Sequence, residues 1–206
     1  LQSVTYLLVA LVLLAVYALY TRIFEKRKTV ELHPRRIMPD VGKGILAGVI
    51  YFVIIVLVMA VIGAYKTENV QFHWKSLAVD FFFCFFIAVG EELIFRGFIF
   101  RMIDQRWNTA AALIVSALVF GCAHILQPDA TWWSSLAIAI EAGLMLGAAY
   151  KYSGTLWLPI GIHWAWNFTE GSIFGFAVSG GKDFESIITP ILSGPEIING
   201  GAFGAE

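Results

Sequence analysis

Long apolar runs alternate with short polar connections along this chain, and their lengths predict membrane-spanning helices. Val4 to Tyr20 and Ile45 to Tyr65 contain no charged residue. A span needs about 20 such residues at 1.5 Å each. A third helix is predicted from Trp74 to about Trp107. At roughly 30 residues it exceeds one span, so it must tilt or protrude. Thr109 to Ile125 and Ser134 to Tyr150 predict a fourth and a fifth. A sixth starts near Leu156, with Pro159 in its first turns, where a missing N–H costs little. Beyond Phe168 the pattern weakens. Residues 171–181 are Gly-rich, and 182–201 carry Pro and Gly punctuation that predicts a loop or a partly inserted segment.

The fold class that follows is all-α: a polytopic transmembrane bundle of about six helices with a Gly-rich C-terminal segment, in a single membrane domain over 1–206. The chain opens on Leu1 and stops at "GGAFGAE", which reads as a trimmed chain. The first apolar run has no basic segment before it and is read as a membrane helix, not a signal peptide. Composition agrees: 59% of the 206 residues are hydrophobic and only 14% charged, with a mean hydropathy of +0.76. A net charge of −1 excludes a nucleic-acid partner, which needs cations to neutralise phosphates. Membrane lipid is the expected surrounding. Cys84 and Cys122 lie in apolar runs and are expected to be buried, reduced thiols.

Basic residues set the orientation. Arg22, Lys26, Arg27, Lys28, Arg35, Arg36 and Lys43 crowd the 21–44 connection, so that connection is expected to be cytoplasmic and the N-terminus outside. Arg101, Arg106 and Lys151 fall on the same side.

Against this background the stretch "FIAVGEELIFRGFIF" is anomalous. A charge at the bilayer centre costs roughly 2.5–3.5 kcal/mol even on lenient scales. Glu92 and Arg96 are spaced i,i+4, share a helix face and are expected to pair. Glu91 lies about 100° around the helix and is left available. His124, Glu141, His163 and Asn167 add polar groups on helices four to six. At 1.5 Å per residue, Glu91 and His124 sit about 22 and 24 Å above the cytoplasmic face, His163 and Asn167 about 12 and 18 Å. Each residue also admits a structural reading. His124 would bond a backbone carbonyl. "HWAWN" would join an aromatic interface belt. Glu141 would be a neutral, hydrogen-bonded acid. Their joint occurrence on several helices favours one shared site.

Together "EELIFRG", "FGCAH" (120–124) and "HWAWN" (163–167) resemble the EExxxR, FxxxH and HxxxN motifs of the CPBP family, the CAAX proteases and bacteriocin-processing proteins also called Abi. The resembling core covers 77–168. It implies an intramembrane endopeptidase acting on a membrane-associated protein or peptide. Glu91 and His124 would activate a water, Glu92 and Arg96 would support them, and His163 and Asn167 would bind the oxyanion. Glu141 is a further supporting candidate. It also implies that a last membrane helix is missing here. A non-catalytic scaffold or bacteriocin-immunity protein of the same family is the alternative. Glu91, His124 and His163 are the residues a zinc ion would use. No HExxH occurs, and the two histidines lie on separate helices, so a cofactor-free, glutamate-based reaction is preferred and zinc is the alternative.

Overall fold

The computed structural model describes residues 1–181 and 184–205. Lys182 and Asp183, inside the stretch expected as a loop, and Glu206 lie outside the described residues. Among the described residues seven helices form the bundle: α1 Gln2–Ile23, α2 Ile37–Val61, α3 over 74–106, α4 Thr109–His124, α5 Trp132–Ser153, α6 over 157–173 and the short α7 Glu196–Asn199. α1, the 34–61 segment containing α2, and α5 are long and apolar enough to cross a membrane. The protein is an integral membrane protein with an all-α bundle.

Burial periodicity explains the packing. In α2 the buried positions are Asp40, Gly44, Gly48, Phe52, Val56 and Met59, one stripe of nearly i,i+4 spacing. That stripe lies on α6, the most extensive helix–helix contact of the fold. Small residues allow the close approach. A Cβ on Gly161 would meet the Val41 carbonyl oxygen at 2.7 Å, whereas one on Gly42 would meet nothing. Gly161→Ala is therefore expected to destabilise the bundle by about 1–3 kcal/mol through overpacking, and Gly42→Ala to be nearly neutral. Thermal unfolding in detergent checks both. α1 is peripheral. Only Ala10, Tyr17 and Thr21 are buried along it, and its main neighbour is α3.

Three helices contain π-helical turns: Leu93–Phe100 in α3, Ala139–Gly143 in α5 and Thr169–Ile173 in α6. Such turns interrupt the regular i→i−4 ladder and concentrate at functional sites. Here each one adjoins or contains a membrane-depth glutamate.

At one end of the bundle the 24–36 connection folds back onto the core in two 3₁₀ turns. Buried Glu31 accepts hydrogen bonds from Tyr17 (2.6 Å) and from both Arg27 amino groups (2.6 and 2.9 Å). Burial pushes the Glu31 carboxyl up, but the bonds from Arg27 and Tyr17 outweigh it and hold it below the usual range. A depressed carboxylate stabilises the fold above its unfolded pKa, about 4.3, and that stability is lost as pH falls through the folded value. The melting temperature of the parent is expected to fall from about pH 4 downward, with a shallower slope for Glu31→Gln. A melting series over pH checks this.

At the other end the structure departs from expectation. The second helix stops at Val61, and Tyr65–Val70 forms a strand, β1. β1 pairs antiparallel with β2, Ile188–Leu192, from Tyr65↔Leu192 to Val70↔Ile188. The apolar run to Tyr65 hid the break, because β1 begins on residues that are themselves buried: Ala64 and Tyr65 pack with Phe52 and Phe176. The Gly-rich C-terminal segment is also more ordered than a loop. Phe203 is buried with Phe95, Phe120 and Ile138. Cys84 is buried, but Cys122 is exposed on the outer face of α4, since an apolar run in a membrane helix has a lipid face as well as a core face.

Candidate active site

The polar residues singled out in the sequence converge in the half of the bundle nearer the sheet. Glu91 and Glu92 end the α-helical part of α3, just before its π turn. His124 is the last residue of α4. His163 and Asn167 lie one turn apart on α6. Glu91, His124, His163 and Asn167 line one cavity of about 170 Å³. The simple rise estimate left His163 well below Glu91, yet their side chains meet. π winding packs more residues into each turn, which shortens α3 below Glu91 and narrows the gap.

Glu92 is the organiser. It is fully buried, and its Oε1 accepts from Arg96 Nη1 at 2.8 Å, the pairing expected from the i,i+4 spacing. The same oxygen accepts from His163 Nδ1 at 2.9 Å, which spacing on one helix could not reveal. Arg96, also fully buried, donates through Nη2 to the carbonyls of Ala142 (3.3 Å) and Gly143 (3.1 Å). Those carbonyls belong to the π turn of α5, where the ladder is broken. The guanidinium also lies 4.6 Å from the Phe120 ring centroid, a favourable cation–π distance. The charge is thus solvated by protein dipoles instead of water.

Both histidines have a fixed tautomer. His124 Nδ1 is 2.7 Å from the Phe120 carbonyl. A carbonyl only accepts, so Nδ1 carries the proton and Nε2 the lone pair. His124 thus bonds a backbone carbonyl through one ring nitrogen and also lines the cavity. His163 Nδ1 donates to Glu92, which leaves its Nε2 facing Glu91 Oε2 at 3.7 Å. Glu91 Oε2 is buried with no hydrogen-bond partner among the described residues.

Both tryptophans of "HWAWN" are held by protein partners. Trp166 is buried and donates to Glu170 Oε2 at 3.0 Å, while Trp164 donates to the Phe81 carbonyl on α3 at 2.8 Å. Glu141 accepts from Tyr51 at 3.2 Å. It borders a second, smaller cavity of about 30 Å³ on the other side of His124, His163 and Asn167. Among the described residues, no three His, Cys, Asp or Glu side chains gather as a metal-ion set.

Two residues escaped sequence reasoning. Glu170 is fully buried and accepts from the backbone N–H of Ala205 at 3.0 Å, tying the C-terminal segment to α6. Its spacing of seven from His163 and three from Asn167 puts it on the same helix face, a signal that was there to be read. Ser179 borders both cavities with a positive φ of 45°. It sits in an irregular stretch, where no periodicity points to it.

Residues 73–169 match the family model described as type II CAAX prenyl endopeptidase Rce1-like. No curated protein and no solved structure matches the chain.

Proposed function

We propose, for a chain whose residues 73–169 match the model of the Rce1-like CAAX endopeptidases, the CPBP family, a water-mediated peptide hydrolysis at the cavity of Glu91, His124, His163 and Asn167. The family makes a CAAX-type intramembrane protease the general assignment. The observation that supports this site is the unpartnered, buried Glu91 Oε2 beside the free Nε2 of His163.

In this reading a water lies between the Glu91 carboxylate and the lone-pair nitrogen of His124. Glu91 takes its proton as general base, and the hydroxide attacks the scissile carbonyl. Glu91 hands that proton on to His163 Nε2, 3.7 Å from its Oε2, and the oxyanion receives hydrogen bonds from the Asn167 amide and from this Nε2–H. A neutral His163, with Nδ1 committed to Glu92, has no second proton to give. The proton then passes to the departing amine, giving a carboxylate and an amine. Glu92 and Arg96 position His163 without touching substrate. No step is routed through a metal. The Lys and Arg distribution supports a cytoplasmic 21–44 connection.

The test is a reconstituted chain given a membrane-anchored peptide ending in a prenylated CAAX sequence, with mass spectrometry of the released fragment. We expect endoproteolytic release of the C-terminal tripeptide, unaffected by a zinc chelator. Absence of cleavage would overturn the assignment. Loss on chelation, with recovery on adding zinc, would overturn the metal-free step.

A further inference from the structure

The other end of the bundle carries a feature the peptidase reading does not use. The turn after α1 folds back over the last turn of that helix. Lys26 adopts a positive φ of 53°, and the Arg27 N–H bonds the Thr21 carbonyl at 3.2 Å. Thr21 and Thr29 join through their hydroxyls. The result is an open groove of about 900 Å³. Its floor is apolar, made by Ala15, Ala18 and Leu19; its rim is Arg22, Lys26, Arg27 and Lys28.

The charges here are unevenly satisfied. Arg27 is held by Glu25 and Glu31, and Glu25 also takes Arg101 at 2.6 Å. These two carboxylates are consumed by Arg27 and Arg101. Arg22, Lys26 and Lys28 are exposed and have no carboxylate within ion-pair distance among the described residues. Three cations therefore remain without a carboxylate partner among the described residues, around a groove whose wall is braced by part-buried ion pairs. The apolar floor continues along α1 into an exposed stripe of Val12, Val16 and Leu19, on a helix long enough to cross the bilayer. One ligand chemistry matches both parts: an anionic headgroup among the cations, joined to an acyl chain along the stripe.

We propose that this groove is a binding site for an anionic phospholipid. It is independent of the peptidase assignment. A lipid phosphate at the membrane surface is worth a roughly fivefold preference per nearby Lys or Arg. A diffuse positive flank would show the same total attraction without a defined site. The folded-back turn, with Arg27 pinned in place, instead predicts stoichiometric retention.

The experiment uses the full chain in nanodiscs of phosphatidylcholine with a minor fraction of phosphatidylglycerol, followed by native mass spectrometry of retained lipid. The parent is expected to keep phosphatidylglycerol selectively. The triple variant Arg22→Gln/Lys26→Gln/Lys28→Gln is expected to lose that selectivity by on the order of a hundredfold. Its thermal transition in pure phosphatidylcholine should match the parent, since the three side chains are exposed. Lys66→Gln/Lys75→Gln, at the opposite end, should retain lipid as the parent does. Equal retention by the triple variant would overturn the proposal, as would an equal loss in the double variant. Displacement of the lipid by millimolar inorganic phosphate would overturn it too, by showing a free-anion site.

Discussion

Glutamine in place of Glu91 is expected to lower kcat by about 10²–10⁴-fold, the contribution of a general base, with the thermal transition unmoved. The two outcomes separate because Glu91 has a reactive environment and little structural duty. Its buried oxygen Oε2 has no hydrogen-bond partner among the described residues, so an isosteric amide breaks no such bond at that atom. It does remove the proton acceptor that the attacking water needs. Single-turnover cleavage of the prenylated peptide, read beside a melting curve, checks both halves. A Glu91→Gln protein that cleaves like the parent would leave the non-catalytic scaffold as the better account.

Arg96→Met should give the reverse pattern, a large loss of stability. Removing one partner of a buried ion pair costs about 3–5 kcal/mol, because the remaining charge is stranded. At about 2–4 °C per kcal/mol for a chain of this size, the melting temperature should drop by on the order of 10 °C. Here Glu92 would be stranded with only His163, and the Ala142 and Gly143 carbonyls would lose their donor. The double variant Glu92→Met/Arg96→Met is expected to recover much of that stability, since an apolar pair of similar volume often replaces a buried ion pair without loss. It should stay inactive, because His163 no longer has a carboxylate to hold its Nδ1 proton. A double variant as unstable as Arg96→Met would show that the pair is not the source of the loss.

Much of the site was legible because its residues are expensive. A carboxylate or imidazole inside an apolar run costs free energy that only a partner or a cavity offsets, so Glu91, Glu92, Arg96, His124 and His163 stand out without any structure. The i,i+4 spacing of Glu92 and Arg96 named their contact directly. Glu170 was equally expensive and was overlooked, since it follows the motif at the start of a weaker apolar stretch. The β1–β2 pairing was not legible. Its strands are separated by more than a hundred residues, and β1 begins where an apolar helix pattern continues.

The chain's own pattern determined a helical membrane protein, since run length and the cost of exposed backbone in lipid leave few alternatives. It also determined the polar residues that must face inward and the Glu92–Arg96 pair within one helix. Tertiary structure alone decided the rest: that Glu92 holds His163 as well as Arg96, that the π turn of α5 lends its carbonyls to a buried guanidinium, and that Phe203 of the C-terminal segment packs on Phe120. Periodicity reports which face of a helix is buried. It carries no information about which other helix meets that face, or at what height, and such a contact, from Glu92, orients the His163 ring.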